Sequence, residues 1–555
     1  MRSELIAAAL AAAVALTADL RSAGPRFYPD DPIAVDNDRV IDVSDPQKVD
    51  LDDYYDFLEN SFGSPGDRRN VRAVNVNTLD EVPDSSWFTN RIGSRELSTS
   101  ELVRGPDREV RLGTAWTIVR GKNRGFHPGF RAIDRSDRTE TVYQLEVDPP
   151  GHPEMATGAE VIGTAFYHAF GYHTIDVYLA EIDPAALEIS SEATIKDANG
   201  RRPFVRRDLD EILKNAARLP NGRIRVTAER LVRGADMGRF EYHGTRSDDP
   251  NDIYPHEHRR ELRGSRVFAA WLNHDDSRAV NTMVVRHIEK GRAHLKYYMV
   301  DFGSLLGSGT RFPNSIQSGH EYTLSARPAL LTLLSFGLYV RPWLRLPDPP
   351  APPAIGRFSA EGFDPRTWVA EYPKAAFDNM RADDAFWAAR IVARFSDDAI
   401  RAIVGKGRYS DPAAAEALAT ALIKRRDRIA EAWLTGINPI VNAALSPQGE
   451  LQFENAAVQH GVGGRPEGYA LTWSRFDNAT DTHTPVGDEI VVADTRSTAP
   501  PALLEGSEYI SVRIGTRHPR YPAWAPVQVY FRRTAAGWQT VGLDRGLDAG
   551  GGPAR

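Results

Sequence analysis

From residue 113 onward, apolar and polar positions follow recognisable periods. GTAWTIV (113–119) and TVYQLEV (141–147) alternate with period two and are rich in β-branched and aromatic residues, which predicts two strands joined by the glycine-interrupted GKNRGFHPGF. In TGAEVIGTAFYHAF, opening at Thr157, the period lengthens: Val161, Ile162, Ala165, Phe166 and Ala169 recur at helical spacing. DVYLA (176–180) returns to a strand, and a mixed stretch follows with a helix near 207–217 and strand-like GRIRVTAERLV at 222–232. A helix over 256–272 is apolar at Leu262, Val267, Phe268, Trp271 and Leu272. Three later helices have clear starts, with Asp383 and Asp384 before AFWAARIVARF, Ser396 before DDAIRAIV, and Asp411-Pro412 before a run to Leu434. Ser and Asp suit the N-cap, and proline is tolerated at the first helical position. After Pro447 the period falls back to two in LQFENAAV, YALTWSRF, DEIVVAD, EYISVRI, VQVYFRR and WQTVGL. Short strands at such turn-marked intervals predict a β-sandwich of immunoglobulin or fibronectin type, with Tyr469, Leu471 and Trp473 on one buried face.

The remaining segments set the organisation. Residues 24–109 are polar and rich in proline and aspartate, the character of an extended arm, and PDPPAPPA (347–354) is a stiff connector. At the N-terminus Arg2 precedes the apolar run LIAAALAAAVAL, which has the length of a secretory signal and is too short to span a bilayer. The expected division is a signal peptide at 1–23, an arm at 24–109, a small lobe at 110–182, an insertion at 183–255, a mainly helical large lobe at 256–446 and a sandwich at 447–555. Several domains suit 555 residues. The expected product is exported, periplasmic or extracellular, with no transmembrane segment in the mature chain.

Composition then narrows the chemistry. The chain has no cysteine, which removes disulfides, thiolate nucleophiles and Cys-ligated metals. With 68 Lys+Arg against 75 Asp+Glu, the net charge of −7 argues against a protein that coats nucleic acid. No G-x-S-x-G elbow, Walker A loop or H-E-x-x-H signature is present. The cluster Pro255-His256-Glu257-His258 lacks the spacing that puts two imidazoles on one helix face, and reads as a polar helix start.

The informative stretches are WLNHDDSRAVNTMVV (271–285) and LKYYMVDFGSLLGSG (295–309). They place His274, Asp276 and Asn281 as H-x-D-x-x-x-x-N at a helix end and Asp301-Phe302-Gly303 at the end of an apolar strand. Phosphoryl transfer uses such a set. One carboxylate accepts the proton of the attacking hydroxyl, a carboxamide five residues on binds metal, and a second carboxylate one hairpin further bridges metal and phosphates.

On these two motifs the chain resembles the protein-kinase-like superfamily, in particular its atypical bacterial and secreted branches such as HipA-like and CotH-like kinases, over residues 110–435. The resemblance implies an α+β, bilobal kinase-like core between the arm and the all-β sandwich. It implies Asp276 as catalytic base with His274 beside it, Asn281 and Asp301 as ligands for Mg or Mn, ATP as cofactor, and Glu160 as the helix acid that pairs with a phosphate-binding lysine. The sequence departs from the pattern there: the third-strand position holds Glu146, or Gln144 one step earlier on the same face. Lys122, Arg120 or Arg131 could supply the cation, although Lys122 also reads as a solvated turn residue. Thr157-x-x-Glu160 also reads as a capping box, and Glu154 is a second candidate acid. Three readings remain open: a phosphotransferase acting on an unidentified hydroxyl-bearing or protein acceptor, a pseudokinase scaffold, and a nucleotidyltransferase.

Overall fold

Strand-forming alternation from Trp116 onward builds a seven-stranded sheet. Its strands are β1 (Trp116–Gly121), β2 (Gly129–Asp134), β3 (Val142–Val147), β4 (Val177–Ile182), β5 (Glu188–Asp197), β6 (Gly200–Pro203) and β7 (Ile224–Arg230), in the order β4-β7-β3-β2-β1-β5-β6. All neighbours are antiparallel except β1 and β5. The computed structural model describes residues 24–122, 129–137, 139–197, 200–347 and 350–547, so the expected signal peptide and most of the GKNRGFHPGF connection lie outside the described residues.

The sheet has two unlike faces. Ile118, Phe130, Ala132, Tyr143, Leu145, Val226 and Ala228 point to one side and join a core with Leu209 and Leu213 of the helix Arg206–Lys214. The cross-strand register runs Arg120, Arg131, Gln144, Glu229 along the other side, with Gly129, Glu146, Thr227 as the adjoining row. The segment expected to be an insertion, 183–255, is therefore not separate from the sheet. It contributes β5, β6 and the interior strand β7, and its helix covers the apolar face. Chain order hides this, because β7 pairs with strands laid down long before it.

Helix α1 (Met155–Phe170) follows β3 and starts two residues ahead of the expected Thr157. The Thr157 amide and hydroxyl and the Glu154 amide all donate to the buried Asp148 carboxylate, which satisfies the otherwise orphaned donors of the first turn. Thr157 is thus occupied outward, the capping box does not form, and Glu160 is released for the opposite side. The helix α2 (Arg260–Leu272) leads to the hairpin of β8 (Thr282–Glu289) and β9 (Arg292–Met299), paired from Thr282↔Met299 to Glu289↔Arg292. The helices α3 (Ala382–Ala393), α4 (Asp397–Gly405) and α5 (Pro412–Leu434) follow, with Ser396 and Asp411 capping α4 and α5 through the amides of Ala399 and Ala413. Asp383 and Asp384 of α3 bind the fully buried Arg260 and Arg263 of α2, at 2.8, 3.1 and 3.5 Å. The 256–258 cluster is a single 3-10 turn whose His256 faces Asp252 at 2.7 Å and whose His258 faces Asp67 at 3.0 Å, the polar start expected of it.

Two compact units emerge. One combines 35–75 with 82–437 and the other joins 24–34, 76–81 and 438–547, so the expected arm is divided between them. In the second unit, strands Ile440–Leu445, Glu450–Asn455 and Arg496–Thr498 form one sheet, while Gly468–Asp477, Tyr509–Arg517, Val527–Thr534 and Gly537–Asp544, with shorter partners, form another. Leu451 and Phe453 of the first sheet share a core with Leu471, Trp473, Val512 and Phe531 of the second, as a β-sandwich requires. The unit starts ahead of the expected 447 because an irregularity between Val441 and Ala444, with Asn442 at φ 52°, interrupts the alternation of its first strand. Phe27 packs among Phe476, Tyr509 and Tyr530, and Arg545 binds Asp80 at 3.1 Å. No helix among the described residues is long and apolar enough to cross a membrane.

Candidate functional site

The polar face of the sheet gathers charge. At the end of β1, Lys122 donates to Glu146 of β3, with 22% and 11% of the two side chains exposed. Burial opposes the Lys122 charge, but Glu146, and behind it Asp301, outweigh it and raise the pKa of the ammonium above its usual value. From α1 comes Glu160, buried, with the Phe302 amide donating to it. Burial and then the charges of Asp301 and Glu146 push Glu160 well above the usual carboxylate range, and burial with Glu146 and Glu160 does the same to Glu229 of β7. Four carboxylates from three strand or loop elements and a helix thus converge on one ammonium. Arg131 flanks them, its Nε donating to the Gln144 side-chain Oε1 at 3.3 Å, with Arg120 opposite it in the register.

The two loops that carry the sequence motifs meet beneath this face. Asp276 lies in the turn after α2, where Ser304 donates to its Oδ2 at 2.9 Å and Arg278 donates to its Oδ1. Arg278 also binds Asp53 at 2.9 Å and Glu371 at 3.3 Å, so its charge is shared among three carboxylates. The Asn281 side-chain amide donates to the Asp276 carbonyl at 2.8 Å, leaving Oδ1 as its remaining ligand atom, and the Val300 amide donates to the Asn281 carbonyl at 3.2 Å. Asn281 is therefore fastened to the residue preceding Asp301. Asp301 itself takes φ 65°, the left-handed conformation that non-glycine residues adopt rarely and that recurs at functional turns. Lys374, buried, donates to Ser277 at 2.8 Å; burial lowers its pKa to about 8 against the pull of Asp276 and Asp56. Burial pushes the neighbouring Asp275 up to about 7 although Ser318 donates to it.

A buried stack fixes the Asp301 loop against α1. Phe302 lies over Tyr167 with ring centroids 4.5 Å apart, and the Tyr167 hydroxyl meets His274 Nδ1 at 2.8 Å. His274 is only 4% exposed, and burial lowers its pKa to about 3, so it stays neutral through the physiological range. Its contacts make it a positioning residue between helix and loop rather than a proton carrier. Gly163, one turn before Tyr167, allows the approach: a Cβ there would lie 2.7 Å from both Phe302 and Leu305 side chains.

Of the expected site residues, Lys122, Glu160 and Asp301 share one electrostatic cluster, and Asp276 and Asn281 are tied to the Asp301 loop by hydrogen bonds. Lys122 is not a solvated turn residue, since Glu146 holds it inward. Glu154 is taken up at the start of α1, accepting from the Ser410 amide at 2.8 Å. Sequence reasoning missed Glu229, Arg278 and Lys374. The Arg278 position, two residues after Asp276, was legible, whereas Glu229 needed the strand order and Lys374 the tertiary fold. Glu59, Glu241 and His243 bring ligand atoms within 4.8 Å of one another, and His243 and Lys374 both act on the charge of Asp56. No family model, curated protein or solved structure matches this chain.

Proposed function

We propose that the charged site formed by the polar sheet face and the Asp301 loop binds a metal-nucleotide complex, and that the protein is an exported, atypical kinase-like phosphotransferase for a hydroxyl acceptor. The observation that carries this reading is Lys122: the cation missing from β3 reaches the same cluster from the end of β1, within the field of Glu160 and Asp301. A sheet with a helix after its third strand, followed by helices and a hairpin between the two motifs, supports the kinase-like layout.

The donor set suits a hard divalent cation, which prefers carboxylate and carbonyl oxygen. Asp301 and Asn281 Oδ1 would hold the metal, and Lys122 with Arg131 would face the phosphates. Bound Mg-ATP would supply the transferable phosphoryl group and the positive charge that screens it. Asp276 would accept the acceptor's hydroxyl proton, held in place by Ser304 and Arg278. Burial and neighbouring carboxylates favour the protonated forms of Glu160 and Glu229, so Glu146 and Asp301 are the acids a polyphosphate would meet, and because Lys122 is already engaged by Glu146, nucleotide binding should require a metal on Asp301 and Asn281.

A second reading has its own observation. Lys122 is engaged by Glu146 and Asp276 by Arg278, which favours a pseudokinase that binds nucleotide without turnover. Thermal unfolding with Mg-ATP, with ATP in chelator and with neither tests binding, because a ligand held only by the folded state raises its stability by about 2.7 kcal/mol at a hundredfold excess over Kd. Stabilisation by Mg-ATP alone, abolished in Asp301→Ala, is the expected result; identical transitions in all three conditions would remove the nucleotide reading. Turnover and mass spectrometry of the modified acceptor then separate phosphoryl transfer, nucleotidyl transfer and no transfer. The export component is tested separately, by finding whether the N-terminal residues are absent from protein recovered outside the cytoplasm.

A further inference from the structure

Residues 324–346 read TLSARPALLTLLSFGLYVRPWLRL from Thr323 onward and turn their apolar side chains outward. The helix Ala326–Leu334 has no buried residue. Leu330, Leu333 and Leu334 are 55%, 72% and 67% exposed, and beyond the helix Phe336 and Leu338 reach 96% and 83%. Leu331, Val340, Leu344 and Leu346 are also exposed. At about 100° per residue, Leu330, Leu331, Leu333 and Leu334 occupy one broad arc of the helix. Apolar patches beyond a few hundred Å² on a monomer mark a protein or membrane contact, and nine large apolar side chains in one stretch belong to that class.

Charge chooses between the two. From Tyr322 to Pro347 the chain has no acidic residue and three arginines, and the acids beside it, Glu361 and Asp364, line a pocket with Trp343, Leu344 and Leu346 at the far end from the helix. Arg341 is bound to Glu321 at 2.8 Å, which leaves Arg327 and Arg345 at the exposed surface. Trp343 donates to the same Glu321 at 2.8 Å, fixing an indole beside the patch, and Tyr339 adds a second aromatic of the kind that settles at headgroup level. Arginine, tryptophan and an exposed apolar arc together are the composition of helices that lie in a bilayer interface. The nine-residue helix is about 14 Å long, less than half of the roughly 30 Å hydrocarbon core, so it can rest in the surface and cannot cross.

We propose that residues 324–346 form a docking element that seats the protein on a bilayer surface bearing anionic headgroups, with Leu333, Leu334, Phe336 and Leu338 entering the acyl boundary and Arg327 and Arg345 meeting phosphate. This rests on the surface of the element alone and is independent of the nucleotide reading.

Co-sedimentation of the full-length protein with vesicles of phosphatidylcholine alone, or mixed with equal parts of phosphatidylglycerol, tests it. We expect binding to the mixed vesicles, at least tenfold weaker for Leu333→Glu/Phe336→Glu and several-fold weaker for Arg327→Glu/Arg345→Glu. These side chains are exposed, so the thermal transitions of the variants should match the wild type and serve as the folding control. Wild-type protein left in the supernatant with both vesicle types, or the Leu333/Phe336 variant sedimenting as the wild type does, would overturn the proposal. So would a concentration-dependent dimer that this variant abolishes while vesicles bind neither form, which would assign the patch to a second copy of the chain.

Discussion

Lys122 and Glu146 form the pair on which the site turns. Removing one member of a buried ion pair leaves the other charge uncompensated, at a cost of about 3–5 kcal/mol where burial is complete and less where, as here, a fifth of the lysine is exposed. Lys122→Met should therefore lose both stability and Mg-ATP stabilisation, whereas Lys122→Met/Glu146→Gln should recover much of the stability and none of the ligand response. Comparing the two melting temperatures with and without Mg-ATP separates structural from binding roles. Asp275 gives a pH signature. Its carboxyl is held near 7 by burial, against about 3.9 in an unfolded chain. Between those values the folded state keeps a proton that the unfolded state has lost, so the contribution is full below about pH 4 and is lost as pH rises through 7. The stability difference between wild type and Asp275→Asn should fall across that window with a slope of up to about 1.4 kcal/mol per pH unit, measurable by urea denaturation; a flat difference would falsify the assignment. Asp276, Asn281 and Asp301 were visible in the sequence because their spacing is local. The partner of Lys122 was not, because the third-strand position appeared there only as an acid where a base was sought, and the other half of the pair lay across the sheet.

Among the elements, α1 connects the sheet cluster to the Asp301 loop. Gly163→Ala would drive a methyl group into Phe302 and Leu305, and overpacking of this kind costs about 1–3 kcal/mol. Because Phe302 adjoins Asp301, the same variant should weaken Mg-ATP stabilisation beyond what its own melting temperature explains. Tyr167→Phe would leave His274 Nδ1 buried without its partner, at about 1–3 kcal/mol, and chemical denaturation should register that loss. Helix periods, N-caps and strand alternation gave α1, α3, α4, α5, β1, β3, β4 and β7 to within a few residues, while β2, β5 and β6 were not among the expected strands. What they could not give was pairing. β7 reads as a strand in isolation, yet nothing in its own residues tells that it lies between β3 and β4, and with that placement comes Glu229. The start of α1 failed for a related reason, since Thr157 fits a local capping pattern that the distant Asp148 overrides.

At the scale of the molecule, the β unit is assembled from three separate stretches of chain. Its last strands enclose Phe27 among Phe476, Tyr509 and Tyr530, and Arg545, 4% exposed, depends on Asp80 for its carboxylate. A fragment of 438–547 alone should consequently melt below the same unit within the full chain, and a synthetic peptide of residues 24–34 should raise its melting temperature while the Phe27→Ala peptide should not. Calorimetry of the fragment with each peptide checks this. The same three-part construction sets a timetable. The ribosome delivers Phe27 on the order of 400 residues before the first strand of its destination, an interval of roughly 20–80 s at ordinary elongation rates. Until then an aromatic hook waits without its pocket, so a chain of this design can close its β unit only once the strands through Asp544 have been made, and any factor that guards the nascent protein has a defined segment to hold.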